Sequence, residues 1–195
     1  NANRAAGIFT YLLNDTFTTD RATGAINGTL AEPGPGTRLI TATSDTFSIS
    51  SSALQMDGYT SNGDPRLTYA NPLGRAAGAV LTGSFIAPGA LGTCQLGFGI
   101  TTPTNTPRLG IVFANNGSIY SMEAGTIGTR ILGAYVTATT YLFAVVLRTA
   151  GQLVFVKGGI YTNWTLLWTT ATDSQATVYV SLAKNNNSNT GTLNY

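Results

Sequence analysis

The sequence predicts an all-β chain, folded as a two-sheet antiparallel β-sandwich over residues 1–195 as a single domain. Three observations predict it. No window carries apolar residues at helical spacing with good helix formers between them. Short apolar runs recur instead, each bounded by Gly, Pro, Asn or Asp. Thr is the commonest residue and Gly contributes 23 positions, a pairing of strand formers with turn formers.

Taken in order, strands are predicted near Ile8–Leu13, Arg38–Thr41, Thr46–Ile49, Ala53–Met56, Ala79–Ile86, Cys94–Ile100, Arg108–Ala114, Ser118–Glu123, Tyr141–Arg148, Leu153–Lys157, Thr165–Thr169 and Thr177–Ala183. The clearest stretch starts at Tyr141. Residues 141–147 are apolar on both faces, as a central strand should be, and Ala150-Gly151 turns the chain into a returning strand. Gly158-Gly159 makes a second tight turn. Beyond it, Ile160, Trp164, Leu166 and Trp168 share one parity and are expected on one core face if the strand is continuous.

Charged residues make up only 9% of the chain, against about 25% in an average soluble domain. The net charge is +2 and the arginines are scattered singly, so no basic stripe offers itself to nucleic acid. No apolar run reaches the roughly 18 residues of a membrane helix. The single cysteine, Cys94, allows no intrachain disulfide and is read as a small buried residue. A neutral polar surface suits an extracellular, cell-surface or virion setting. A chain beginning at Asn1 rather than Met is expected to be processed or cut from something longer. The opening Ala5–Leu13 run is uncharged, apolar and strand-prone, and with the low charge it predicts a homo-oligomer or surface assembly.

Asp15-Thr-Phe-Thr18, the glycine-rich approach to Gly36, the Leu54–Tyr69 segment with Gly63-Asp-Pro65, and the run from Ala144 through Trp168 resemble concanavalin A-like (laminin-G-like) jelly-roll domains, of the kind found in phage-like and environmental bacterial surface proteins. The resemblance implies two packed antiparallel sheets. Relatives of this kind bind glycans, bind proteins, hydrolyse glucans or build surfaces.

Catalysis is not expected. The chain has no His, which removes the usual proton shuttle and triad base. The glucanases of this fold carry two Glu around an Asp on one strand, whereas Glu123 has no acidic neighbour and Glu32 lies in a Pro/Gly loop. No cofactor is expected apart from a possible Ca²⁺, to which Asp57, Asn62 and Asp64 could offer oxygens from one loop; Asp15 and Asp20 could do likewise. A glycan would need an exposed aromatic platform beside amide groups; Tyr59, Tyr69, Tyr135, Tyr161 and Trp164 are candidate rings, Tyr59 and Tyr161 the better ones for lying near loops, with Asn163 as the amide and with Trp164 and Trp168 better read as core. Two functions follow: a structural or adhesive surface module, or a carbohydrate-binding, lectin-like module.

Overall fold

The computed structural model describes residues 15–34, 36–41, 47–56, 66–70, 72–74, 78–87, 89–91, 95–101, 107–123, 126–171, 173 and 176–185. Its strands are β1 (Arg38–Thr41), β2 (Phe47–Ser50), β3 (Ala53–Met56), β4 (Arg66–Tyr69), β5 (Leu73–Gly74), β6 (Val80–Ile86), β7 (Gln95–Thr101), β8 (Pro107–Phe113), β9 (Ser118–Glu123), β10 (Thr126–Ala134), β11 (Thr140–Leu147), β12 (Gln152–Gly158), β13 (Tyr161–Thr170) and β14 (Thr177–Asn185). Every named pairing is antiparallel. An eight-stranded sheet runs β1-β4-β14-β7-β8-β9-β10, with β5 paired to the start of β14. A four-stranded sheet runs β13-β12-β11-β6, and β2-β3 is a separate hairpin.

The predicted strands within the described residues are present, with ends shifted by a few residues. Two substantial strands were missed. β4, Arg-Leu-Thr-Tyr, buries its polar Arg66 and Thr68 along with Leu67 and Tyr69, so no apolar run marks it, and β10 carries two glycines and register shifts that erase its alternation. The expected Ile8–Leu13 strand and Cys94 lie outside the described residues.

One apolar core joins the two sheets. The large sheet supplies Leu67, Leu109, Ile111, Phe113, Ile119, Val178, Val180 and Leu182 from alternate positions, and the small sheet supplies Tyr141, Phe143, Val145, Leu147, Val154, Val156 and Trp168. At one end Phe113 packs between Tyr135 and Tyr141, with ring centroids 5.4 and 5.3 Å away. The Tyr141 hydroxyl accepts from Val136 N–H at 2.8 Å, and the Tyr135 hydroxyl donates to the Ala114 carbonyl at 2.6 Å. These bonds let tyrosine rings fill a core without orphaned hydroxyls.

The shared face of Ile160, Trp164, Leu166 and Trp168 is corrected by the structure. Leu166 pairs with Phe155 and Trp168 pairs with Val154, so Leu167 is an extra residue in β13. A β-bulge of this kind shifts the side-chain alternation by one. Trp168 therefore enters the core at 7% exposure, while Ile160, Trp164 and Leu166 stand 59%, 49% and 49% exposed.

Candidate functional site

Two places gather polar groups. The first is a clasp at the β1 edge. Asp15 and Arg38 form a buried ion pair, with Arg38 Nε 2.7 Å from Asp15 Oδ2 and Nη2 2.5 Å from Oδ1. Tyr69 donates to the same carboxylate at 3.0 Å, and the backbone N–H groups of Phe17 and Glu32 point at it from 3.2 and 3.3 Å. Phe17 adopts a left-handed φ of 51°, unusual for an aromatic residue, and its ring lies 5.3 Å from the guanidinium carbon of Arg38. Burial alone would lower the Arg38 pKa, but the Asp15 hydrogen bonds and charge outweigh it and raise it. Burial first, and then the Asp15 charge, push the Tyr69 hydroxyl well above its usual value, so it remains a donor. Glu32 closes the clasp, accepting from Thr19 N–H at 2.7 Å, Thr18 Oγ1 at 2.9 Å and Arg21 Nη2 at 3.0 Å. The Thr19 N–H bond chiefly, with Thr18 and Arg21, outweighs desolvation and lowers Glu32 to about 2.

The second place is the outer face of the large sheet. Side chains of paired antiparallel residues share a face, so the register gives two rows across the sheet. One carries Arg66, Val112, Tyr120 and Ile131; the other carries Thr68, Ser181, Gly99, Gly110 and Met122. Glycines occupy the middle of the second. A Cβ on Gly99 would run into the Leu109 carbonyl and Gly110 Cα, so this approach of backbones requires glycine. From Arg66 on β4 to Tyr120 on β9 is four strand spacings, about 19 Å at about 4.8 Å each. The floor is buried at Thr68, Ser181, Val112 and Met122, whereas Tyr120 is half-buried and Ile131 is exposed. The exposed Asn116 amide donates to the Tyr120 hydroxyl at 3.0 Å and fixes the ring's edge. Its Oδ1 accepts from Ser118 N–H at 3.0 Å, which orients the amide. Near the far end of β9, Arg130 Nε lies 3.0 Å from Glu123 Oε1.

The residues singled out from sequence fall elsewhere. Tyr161 packs against the core, and its hydroxyl occupies the space that a side chain on Gly133 would fill. Its ring is half-buried, as is that of Tyr120. Asn163 is exposed on β13, and its backbone carbonyl accepts from Thr165 Oγ1 at 3.0 Å. Tyr59, Asp57, Asn62 and Asp64 lie outside the described residues. Of the alternative calcium oxygens, Asp15 is committed to Arg38, and Asp20 Oδ1 accepts from Ser51 N–H at 3.0 Å. The structure does not bring Asp15 to an open cation site. Sequence reading passed over Tyr120 and Asn116. The available signal was the Asn116-Gly117 turn, which leads straight into β9 with Tyr120 at an outward position.

No protein-family model matches the chain, and no curated protein matches it. Solved structures do. A glycosyl hydrolase family protein from Mycobacterium fortuitum superposes with a TM-score of 0.61 at 12% identity, covering 95% of this chain and 97% of that one. A beta-1,3-glucanase from Mycobacterium marinum gives 0.60 at 11% identity, covering 96% and 97%. Peanut lectin gives 0.54 at 9% identity, covering 83% and 95%. A sialidase matches at a TM-score of 0.54 and 12% identity, but the chain spans only 15% of it. These neighbours correct the expectation that catalysis is excluded, since chains of this architecture and length include named glycosyl hydrolases. The physical flaw in that expectation is its demand for acidic residues close together on one strand. Carboxylates far apart in sequence converge in a sandwich, as Asp15 and Glu32 do around Arg38. The phage-like setting of the resemblance finds no support among these neighbours, whereas its fold does: the chain is a concanavalin A-like jelly-roll sandwich.

Proposed function

We propose that the chain is a carbohydrate-recognising jelly-roll module whose ligand binds at the Tyr120–Asn116 end of the outer face of the large sheet. The single observation that carries this is the Tyr120–Asn116 pair. A half-buried aromatic ring, its hydroxyl fixed by an exposed amide, stands at the accessible end of the row that Val112 continues. Sugars present apolar C–H faces to rings and hydroxyls to amides, so a ring and an amide at one place supply both kinds of contact. The glycosyl hydrolase and lectin neighbours support the reading at the level of fold. An extracellular or surface setting belongs to the same proposal and is supported by the 9% charged composition.

The test is a glycan array followed by calorimetry on the best ligand, with reducing-end release measured in the same samples. The expected result is binding by the intact protein that Tyr120→Ala weakens about tenfold or more, equivalent to about 1.4 kcal/mol. A panel with no ligand, or a Tyr120→Ala protein that binds as tightly as its parent, would overturn the site.

A further inference from the structure

We infer that the outer face of the four-stranded sheet is a homodimer interface, on which a second copy of this chain packs face to face. An antiparallel sheet with one face in water normally alternates apolar inside and polar outside. This sheet does not. Its outer face carries Val80 and Ile86 from β6, Leu142, Ala144 and Val146 from β11, Leu153 and Phe155 from β12, and Leu166 from β13, with Thr82, Ser84, Thr140 and Thr169 as its uncharged polar members and the exposed Trp164 next to Thr165 on β13. Val80, Leu142, Trp164 and Leu166 stand 53%, 41%, 49% and 49% exposed. Among the described residues of these strands, Lys157 is the one charge, and it sits on this face beside Leu142.

The dimensions suit a second copy. At about 4.8 Å per strand and about 3.3 Å per residue, four strands over seven residues cover roughly 440 Å² in plan. A stable interface takes about 800 Å² of accessible surface from each partner. Projecting Leu, Val, Phe and Trp side chains expose more area than the plane beneath them, which brings the face to the lower edge of that class. A two-fold axis uses the same patch twice, and two sheets stack at about 10 Å in the manner of the sandwich itself.

Other occupants fit less well. A glycan platform needs aromatic rings, and this face offers mainly aliphatic groups around one exposed indole. Anionic lipid would be drawn by a basic cluster. The apolar Ala5–Leu13 segment is one strand long and would leave most of a four-stranded face bare.

Sedimentation velocity over a concentration series, from a few micromolar to several hundred micromolar, tests the interface. The intact chain should rise from 20.3 kDa toward twice that mass. Raising the salt should not weaken it, because the described residues of the face carry no acidic partner for Lys157. Leu166→Glu and Leu142→Glu should stay monomeric with unchanged melting, since both side chains are substantially exposed. Leu30→Glu alters an apolar side chain that is 67% exposed and lies off this face, and it should associate like the parent. A parent that remains monomeric throughout would overturn the proposal. So would Leu166→Glu and Leu142→Glu proteins that associate as tightly as the parent.

Discussion

Replacing Asp15 with alanine strands a guanidinium. The Arg38 side chain is fully enclosed, with 0% of its surface in water, and Asp15 takes both of its shortest hydrogen bonds. Removing one partner of a buried pair costs about 3–5 kcal/mol, because the other charge remains desolvated and unpaired. Two features set the position in that range. Tyr69 and the Phe17 and Glu32 backbone N–H groups lose the same acceptor, which adds to the cost. Glu32 Oε2, 3.9 Å from Arg38 Nη2, stays behind as a weaker counter-charge and limits it. The expected loss is about 3–4 kcal/mol, read as the shift in urea midpoint at unchanged slope. For a chain of this size that corresponds to a fall in Tm of roughly 6–16 °C. Arg38→Met on top of Asp15→Ala should restore part of the loss, since the apolar replacement no longer needs a counter-charge. An Asp15→Ala protein within about 1 kcal/mol of its parent would refute the clasp as a determinant of this edge.

The clasp also predicts acid sensitivity. Glu32 is held at about 2 in the folded chain against an ordinary value near 4.5, so its contribution is complete above the ordinary value and fades as pH falls toward 2. Melting temperature should therefore drop between about pH 4.5 and 2 by more in the parent than in Glu32→Gln, and parallel profiles would count against it. The bulge in β13 predicts opposite outcomes at two tryptophans. Trp168→Ala, in the core, should cost about 3–5 kcal/mol by urea unfolding, whereas Trp164→Ala, on the open face, should cost well under 1 kcal/mol in the monomer.

The parts of the fold legible in the sequence were those whose period survives in the structure. Residues 141–157 read as two adjacent strands because β11 and β12 pair without interruption from Leu142–Lys157 to Leu147–Gln152. Trp164 was misplaced because a one-residue bulge is invisible to a parity argument, yet it moves every residue beyond it to the other face. The apolar character of both faces of β11 was legible, but it was read as burial within the chain; the structure covers only the Tyr141, Phe143, Val145 and Leu147 side. The site was less legible still. Tyr120 and Asn116 are four residues apart and look ordinary in sequence, and the row that Tyr120 belongs to is assembled by register from separate strands.

The same register argument governs where acid–base chemistry would be found in this chain. Asp15 and Glu32 show that distant carboxylates do meet, but their surroundings suit charge pairing. The Thr19 N–H, Thr18 and Arg21 favour the ionised form of Glu32, which at about 2 holds no proton to give a leaving group near neutral pH. A glycosidase acid requires the reverse, a carboxyl raised by apolar surroundings or by a neighbouring carboxylate beside one that stays ionised. The clasp is thus a lock on the β1 edge, and its arginine is the reason. Any hydrolytic turnover detected on a glycan should therefore survive Glu32→Gln at neutral pH, provided the protein stays folded, and turnover abolished in a folded Glu32→Gln protein would move the reaction centre to the clasp.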